Sequence, residues 1–186
     1  MLTNIKNKVQ AYISVFPEEK NGLSILNQQI KNGDDLFDRK NMTGHITASA
    51  LIISPTNKIL FVFHKVLKKY LLPGGHIEKI DKNLVEAARR EIAEETGIKN
   101  ILLHPWCKEN NLPIVLDSHY IPPNSKKNEG QHYHHDFMFI FQSRKTTVNL
   151  DESEVTDYTW LPITKINPGN KRVLLAVEKI KKLKII

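Results

Sequence analysis

The chain has 186 residues, 40% apolar and 25% charged, which is enough to bury one ordinary core and excludes global disorder. Lys and Arg outnumber Asp and Glu by 27 to 20, a formal charge of +7 that favours polyanionic partners and equally serves solubility. Cys107 is the only cysteine, so an internal disulfide and a Cys-based zinc site are excluded, and it reads as a small buried apolar group.

Residues 1–40 predict two short amphipathic helices. Ile5, Val9, Tyr12 and Ile13 recur at helical spacing, as do Leu23, Leu26 and Ile30, with Pro17 and Gly22 between the two sets and Gly33 as a stop. The opening MLTNIKNKVQAYISVF has no continuous apolar stretch of the signal-peptide kind, and no run approaches the ~18 apolar residues of a membrane span. The expectation is a cytoplasmic protein without membrane contact. HITASALIIS (45–54), a turn at Pro55, Thr56 and Asn57, and KILFVFH (58–64) predict a hairpin buried on both faces. LLPGGHIE (71–78) is a short extended piece broken by a glycine pair.

Helical periodicity returns from Asn83 to Thr96. Asn83 and Glu86 are spaced as an N-cap with its partner three residues on, and Gly97 is the expected stop. Apolar pieces near 100–106 and 113–121 precede a polar loop, PPNSKKNEG (122–130). HYHHDFMFIF (132–141) and EVTDYTWLP (154–162) read as strands. The tail from Lys171 to Ile186 reads as a helix with Val173, Val177 and Ile180 on one side and lysines, among them Lys179, Lys181, Lys182 and Lys184, on the other. Strands dominate the middle and helices are interspersed, so the fold class is α/β with a mixed sheet.

The helix at 83–97 changes character along its length. At about 100° per residue, Leu84, Ala87 and Ala88 fall on the same side as Glu91, Glu94 and Glu95, while Glu86, Arg89 and Thr96 fall on the solvent side. Three carboxylates in line with a buried stripe repel one another and raise each other's pKa unless a cation sits among them. Arg90 is spaced to pair with Glu94, but an exposed pair of this kind contributes only ~0.3–0.5 kcal/mol. A divalent cation with hard oxygen ligands, Mg²⁺ or Mn²⁺, suits the set better. The competing reading is a Glu-rich surface helix.

The segment GGHIEKIDKNLVEAARREIAEETGI (74–98) resembles the signature of the Nudix hydrolases, G-x5-E-x7-R-E-U-x-E-E-x-G-U with U apolar. Arg90, Glu91, Ile92, Glu94, Glu95, Gly97 and Ile98 match its second half. The first half departs, with Asp81 standing roughly where Glu belongs after a one-residue insertion. GHITASALII (44–53), LLPGGH and HYHHDF (132–137) are similar to one bacterial branch of that family, so the resemblance covers most of the chain.

The resemblance implies an α/β/α sandwich around a central mixed sheet, with residues 1–40 a helical extension of a domain at 41–186 that ends in a C-terminal helix. It implies an Mg²⁺-dependent hydrolase, Mn²⁺ substituting, that cleaves a nucleoside diphosphate derivative or related pyrophosphate by water attack at phosphorus. On the matching positions Glu91, Glu94 and Glu95 would hold the metal together with the Gly74 backbone, Arg90 would orient a glutamate, and Glu91 is the first candidate for general base. A fourth carboxylate would come from Glu152 or Glu154, unless these form a solvated acidic loop.

In strand 132–141, His132, His134 and Asp136 share one face, open to substrate contacts, polar packing or a zinc ion. His76 belongs to the same cleft, and His45 and His64 read as satisfied core residues. Two further readings stand beside hydrolysis: a Nudix-type nucleotide sensor that does not cleave, and an isoprenoid diphosphate isomerase, whose degenerate box and catalytic-Cys motif this sequence does not show; RNA-end processing, suggested by the basic tail, is a variant of hydrolysis. Monomer and homodimer are both compatible, the N-terminal helices offering a dimer contact. The leaving moiety would be read by loops within 104–130.

Overall fold

The computed structural model describes residues 2–125, 128–166 and 170–186. Helix α1 (Leu2–Val15) buries Ile5, Val9 and Tyr12. Pro17 opens a 3-10 segment, Pro17–Leu23, which hands over to α2 (Ser24–Asn32), closed by Gly33 in the left-handed region at φ 74°. The buried side chains of this region join the same apolar core as the sheet, so the helices are packed onto the domain.

The predicted hairpin is β1 (Gly44–Ile53) and β2 (Lys58–His64), but β1 spends little of its length on β2. Its long partner is β7 (His132–Ser143), laid parallel to it from Gly44↔Tyr133 to Ile53↔Gln142. Every β1 residue is buried, because β1 is a central strand covered on both faces. Around this pair the sheet branches. β4 (Gly74–His76) lies antiparallel on β1, β6 (Val115–Ile121) on the first half of β7, and β5 (Ile101–Leu103) on its second half. β3 (Lys69–Leu71) and β8 (Val155–Pro162) flank β2. The result is a mixed sheet with helices on both sides.

Helix α3 (Leu84–Thr96) starts at Asn83, whose side chain accepts from the Val85 and Glu86 amides, and stops at Gly97 with φ 67°. A Cβ at Gly97 would also meet the Asn149 carbonyl at 2.8 Å, so the stop doubles as a close crossing. The tail forms α5 (Lys171–Lys182), about one turn shorter at its end than the sequence predicts.

Three expectations need correction. Thr96 does not face solvent: it is fully buried, its hydroxyl donating to the Ile92 carbonyl, because the segment 149–151 pairs with the end of α3. Residues Pro105–Asn110 form a helix, α4, where only an apolar piece was expected; the His104 side chain caps it, and Pro105 and the left-handed Asn111 bound it. Lys179 is not part of a solvated basic face. It is buried, donates to the Tyr12 hydroxyl and the Ile114 carbonyl, and pairs with Glu19 at 2.5 Å. Lys126 and Lys127 of the predicted polar loop lie outside the described residues. Among the described residues no helix is long and apolar enough to cross a membrane.

Candidate active site

The turn from β4 into α3 brings the glycine pair under the acidic end of the helix. A Cβ on Gly75 would stand 2.5 Å from a Glu91 carboxylate oxygen, so glycine leaves room for that carboxylate against the sheet. One residue earlier, the Gly74 amide donates to the Glu95 carboxylate. Glu95 is buried, and its Oε2 has no hydrogen-bond partner among the described residues. Burial raises Glu95 up to about 8, with the charges of Glu91 and Glu154 adding to the effect. Burial likewise raises Glu91 up to about 7, against the opposing pull of the Arg90 guanidinium. Two buried acids pushed toward their protonated forms, one with an oxygen left unbonded, fit a cation among them.

Glu94 stands apart from this pair. Its side chain is 54% exposed and takes Arg90 Nη1 at 2.8 Å, so it marks the solvent margin of the cluster. Glu154 reaches the cluster from the start of β8, where its carbonyl accepts from the Lys65 amide and the preceding segment is tied to α3 by Asp151 N–H to the Glu95 carbonyl. Its charge acts on both Glu91 and Glu95, whereas Glu152 contributes its backbone carbonyl to Lys65. The donor set of Glu91, Glu95, Glu94 and Glu154 is all oxygen, which fits a hard divalent cation.

Arg90 is the hub beneath. Its Nε and Nη2 meet the two oxygens of buried Asp81 at 3.1 and 3.0 Å, Nη1 meets Glu91 and Glu94 at 2.8 Å each, and Nη2 also donates to the His76 carbonyl at 2.8 Å. Asp81 therefore grips the arginine from below and does not face the acid cluster. The planar five-donor fork is what permits all of these at once.

A profile of the NUDIX domain matches residues 43–178 of the chain. The chain belongs to the NUDIX family. Two curated proteins similar to it are "Probable DHNTP pyrophosphohydrolase" of Lactococcus lactis subsp. cremoris (strain MG1363), 32% identical over 107 residues, and "Phosphatase NudJ" of Escherichia coli (strain K12), 37% identical over 78 residues. The matched regions are 58% and 38% of this chain, and the chain spans 59% and 50% of those relatives' own lengths. Among solved structures, a NUDIX-family hydrolase from Clostridium perfringens matches at TM-score 0.54 and 24% identity, over 75% of this chain and 97% of that one. The E. coli dihydroneopterin triphosphate pyrophosphohydrolase matches at 0.53 and 12%, over 74% and 95%. These likenesses establish the NUDIX fold.

Helix α3 lies on the sheet face that Gly75 presents, and by the alternation of side chains His76 and its neighbours in β1 and β7 fall on the other. His76, His132 and His134 come together there with His45 and with His119 of β6, ring centroids 4.8–5.7 Å apart. Burial, with the neighbouring imidazoles, pushes His134 down to about 2, and burial lowers His45 too, so both rings are neutral. His64 sits elsewhere, its Nδ1 accepting from the Val66 and Leu67 amides in the β2–β3 turn.

Asp136 shares the histidine face but is turned inward. Its oxygens accept from Thr47 Oγ1 at 2.9 Å and Ser49 Oγ at 2.5 Å, and Arg172 pairs with it and with Asp117. It anchors α5 to the sheet and has little left to offer a ligand. Asp117, His119 and Arg172 were not singled out from sequence; the period-two pattern Asp117-x-His119 in a strand was the available signal. Cys107 is buried, its thiol pushed up to about 11 by burial, which leaves it inert.

Proposed function

We propose that this NUDIX chain is an Mg²⁺-dependent hydrolase of a nucleoside diphosphate derivative or related pyrophosphate. The observation that carries this reading is the buried Glu91–Glu95 pair, raised toward neutrality, with Glu95 Oε2 unbonded and Glu154 adding like charge. The names of the two similar proteins, a pyrophosphohydrolase and a phosphatase, agree with cleavage at phosphorus.

Glu91, Glu94, Glu95 and Glu154, with the Gly74 backbone, would hold the cation. When bound, it supplies neutralisation of phosphate charge and acidification of water nearby. The chain's own residues do the remainder. Arg90 fixes the carboxylate of Glu91 from the side at 2.8 Å. Water attacks phosphorus, the anhydride P–O bond breaks, the leaving phosphate keeps the bridging oxygen with its electron pair, and Glu91 takes the proton of the attacking water.

The test is a screen of nucleotide sugars, dinucleoside polyphosphates, NADH, ADP-ribose, (d)NTPs and capped RNA with Mg²⁺, scored by product mass. A Glu94→Gln, Glu95→Gln double variant serves as control. Loss of turnover of at least about a hundredfold in the variant is expected. Equal turnover by parent and variant would sink the assignment, and tight binding with no product from any substrate would make the protein a nucleotide sensor.

A further inference from the structure

The five-histidine cluster has chemistry that the carboxylate site does not use. It is assembled from four strands: His45 on β1, His76 on β4, His119 on β6, and His132 and His134 on β7, with His45 and His119 both in register with His134. The Nε2 atoms of His45 and His76 stand 3.1 Å apart, and those of His132 and His134 3.2 Å apart. One ring nitrogen from each of His45, His76 and His134 lies within 4.8 Å of the other two.

Three of the five rings, His45 among them, have an outer nitrogen held in the manner of a metal ligand. His45 Nδ1 lies 3.3 Å from the Asn41 carbonyl, His132 Nδ1 2.8 Å from the Gly130 carbonyl, and His119 Nδ1 2.9 Å from Asp117 Oδ2. A carbonyl or carboxylate accepts only, so each of these Nδ1 atoms carries the proton and each Nε2 presents a lone pair. Asp117 is in turn fixed by Arg172 at 2.7 Å. Packed neutral imidazoles could instead satisfy one another by N–H···N bonds, and that arrangement accounts for the two short pairs. It does not account for the third nitrogen, from His134, converging on the first pair.

We propose that His45, His76 and His134 form a transition-metal site for Zn²⁺, separate from the carboxylate cluster. A tetrahedral zinc with Zn–N bonds of ~2.1 Å spaces its ligand nitrogens ~3.4 Å apart. The His45–His76 pair already meets that spacing, and a small rotation of His134 closes the set. Three nitrogen donors leave a fourth position for an oxygen ligand. Imidazole donors select Zn²⁺ or Co²⁺ over Mg²⁺, which the oxygen cluster takes. The two sites meet in β4, since the carbonyl of His76 accepts from Arg90 while its ring faces the other histidines. The inference does not depend on the hydrolase reading.

The full chain, stripped by a chelator and kept in excess Mg²⁺, is titrated with Co²⁺ and followed by visible absorption. About one equivalent should bind with the intense bands of low-coordinate nitrogen-ligated Co²⁺, and Zn²⁺ should displace it. His45→Gln and His134→Gln should each weaken Co²⁺ binding by at least about tenfold, with folding checked by circular dichroism, while Glu95→Gln leaves it unchanged. Histidine variants that bind like the parent, or Co²⁺ binding abolished by Glu95→Gln, overturns the site. A variant-free readout decides the case if a histidine variant fails to fold: zinc-edge anomalous diffraction from the parent crystal must give a peak among His45, His76 and His134, and its absence overturns the proposal.

Discussion

At the scale of single residues, Gly75 and Glu95 carry the sharpest consequences. Gly75→Ala places a methyl where the Glu91 carboxylate now lies, and because the clash is with the end of a flexible side chain the fold gives way cheaply. Activity with Mg²⁺ should therefore fall by at least about tenfold, with a stability change within ~1 kcal/mol, read by kcat and by urea denaturation of the same preparation. Glu91 and Glu95 both sit above their ordinary value of 4.5, at about 7 and about 8, so the folded chain keeps protons that the unfolded chain has released. Without divalent ions, their contribution is fully present below about pH 4.5 and is lost as pH rises through 7 to 8. Metal-free protein should lose stability progressively over that range. Glu95→Gln, or saturating Mg²⁺, should flatten the slope in thermal melts at successive pH values.

At the scale of elements, α3 is held less by its own turns than by Arg90. The guanidinium satisfies both oxygens of Asp81, which is buried, and a backbone carbonyl of β4, so it ties the loop, the helix and the strand together. Arg90→Met should cost ~3–5 kcal/mol in chemical denaturation, because it leaves a buried carboxylate without its cation. Arg90→Lys keeps the charge but not the fork, and should recover only part of this.

The helix, its Asn83 cap and its Gly97 stop were legible in the sequence because capping and periodicity are local. The line of acids beside the buried stripe was legible for the same reason, although it could not separate buried Glu91 and Glu95 from half-exposed Glu94. What stayed hidden was whatever depends on partners far along the chain. Thr96 looked outward on a wheel and is covered by the segment at 149–151. The histidines of β7 were visible, but His45, His76 and His119 join them only through strand pairing between distant segments.

At the scale of the whole molecule, the N-terminal helices are bound to the domain through a polar contact as well as apolar packing. Lys179 of α5 meets Glu19 and Tyr12, with its ammonium over the Phe16 ring at 3.6 Å. Lys179→Met strands Glu19 and should cost ~3 kcal/mol or more, whereas Lys179→Met with Glu19→Leu should recover most of it, measured as a double-mutant cycle in urea. The burial of this lysine also trims the basic tail to Lys181, Lys182 and Lys184 at the surface. So few exposed cations should give RNA binding only a shallow dependence on salt.

The parallel pairing of β1 with β7 joins residue 44 to residue 133 and runs the length of both strands. Closing so large a loop is entropically costly and slow compared with forming a helix. β7 supplies two of the clustered imidazoles, and β1 supplies the backbone on which the glycine pair rests. A nascent chain that has not yet delivered residue 143 from the ribosome therefore has neither of the two proposed ion-binding centres in finished form, however complete α3 has become. Ion capture belongs to the last act of maturation, and a truncated product should emerge unable to scavenge metal from its surroundings.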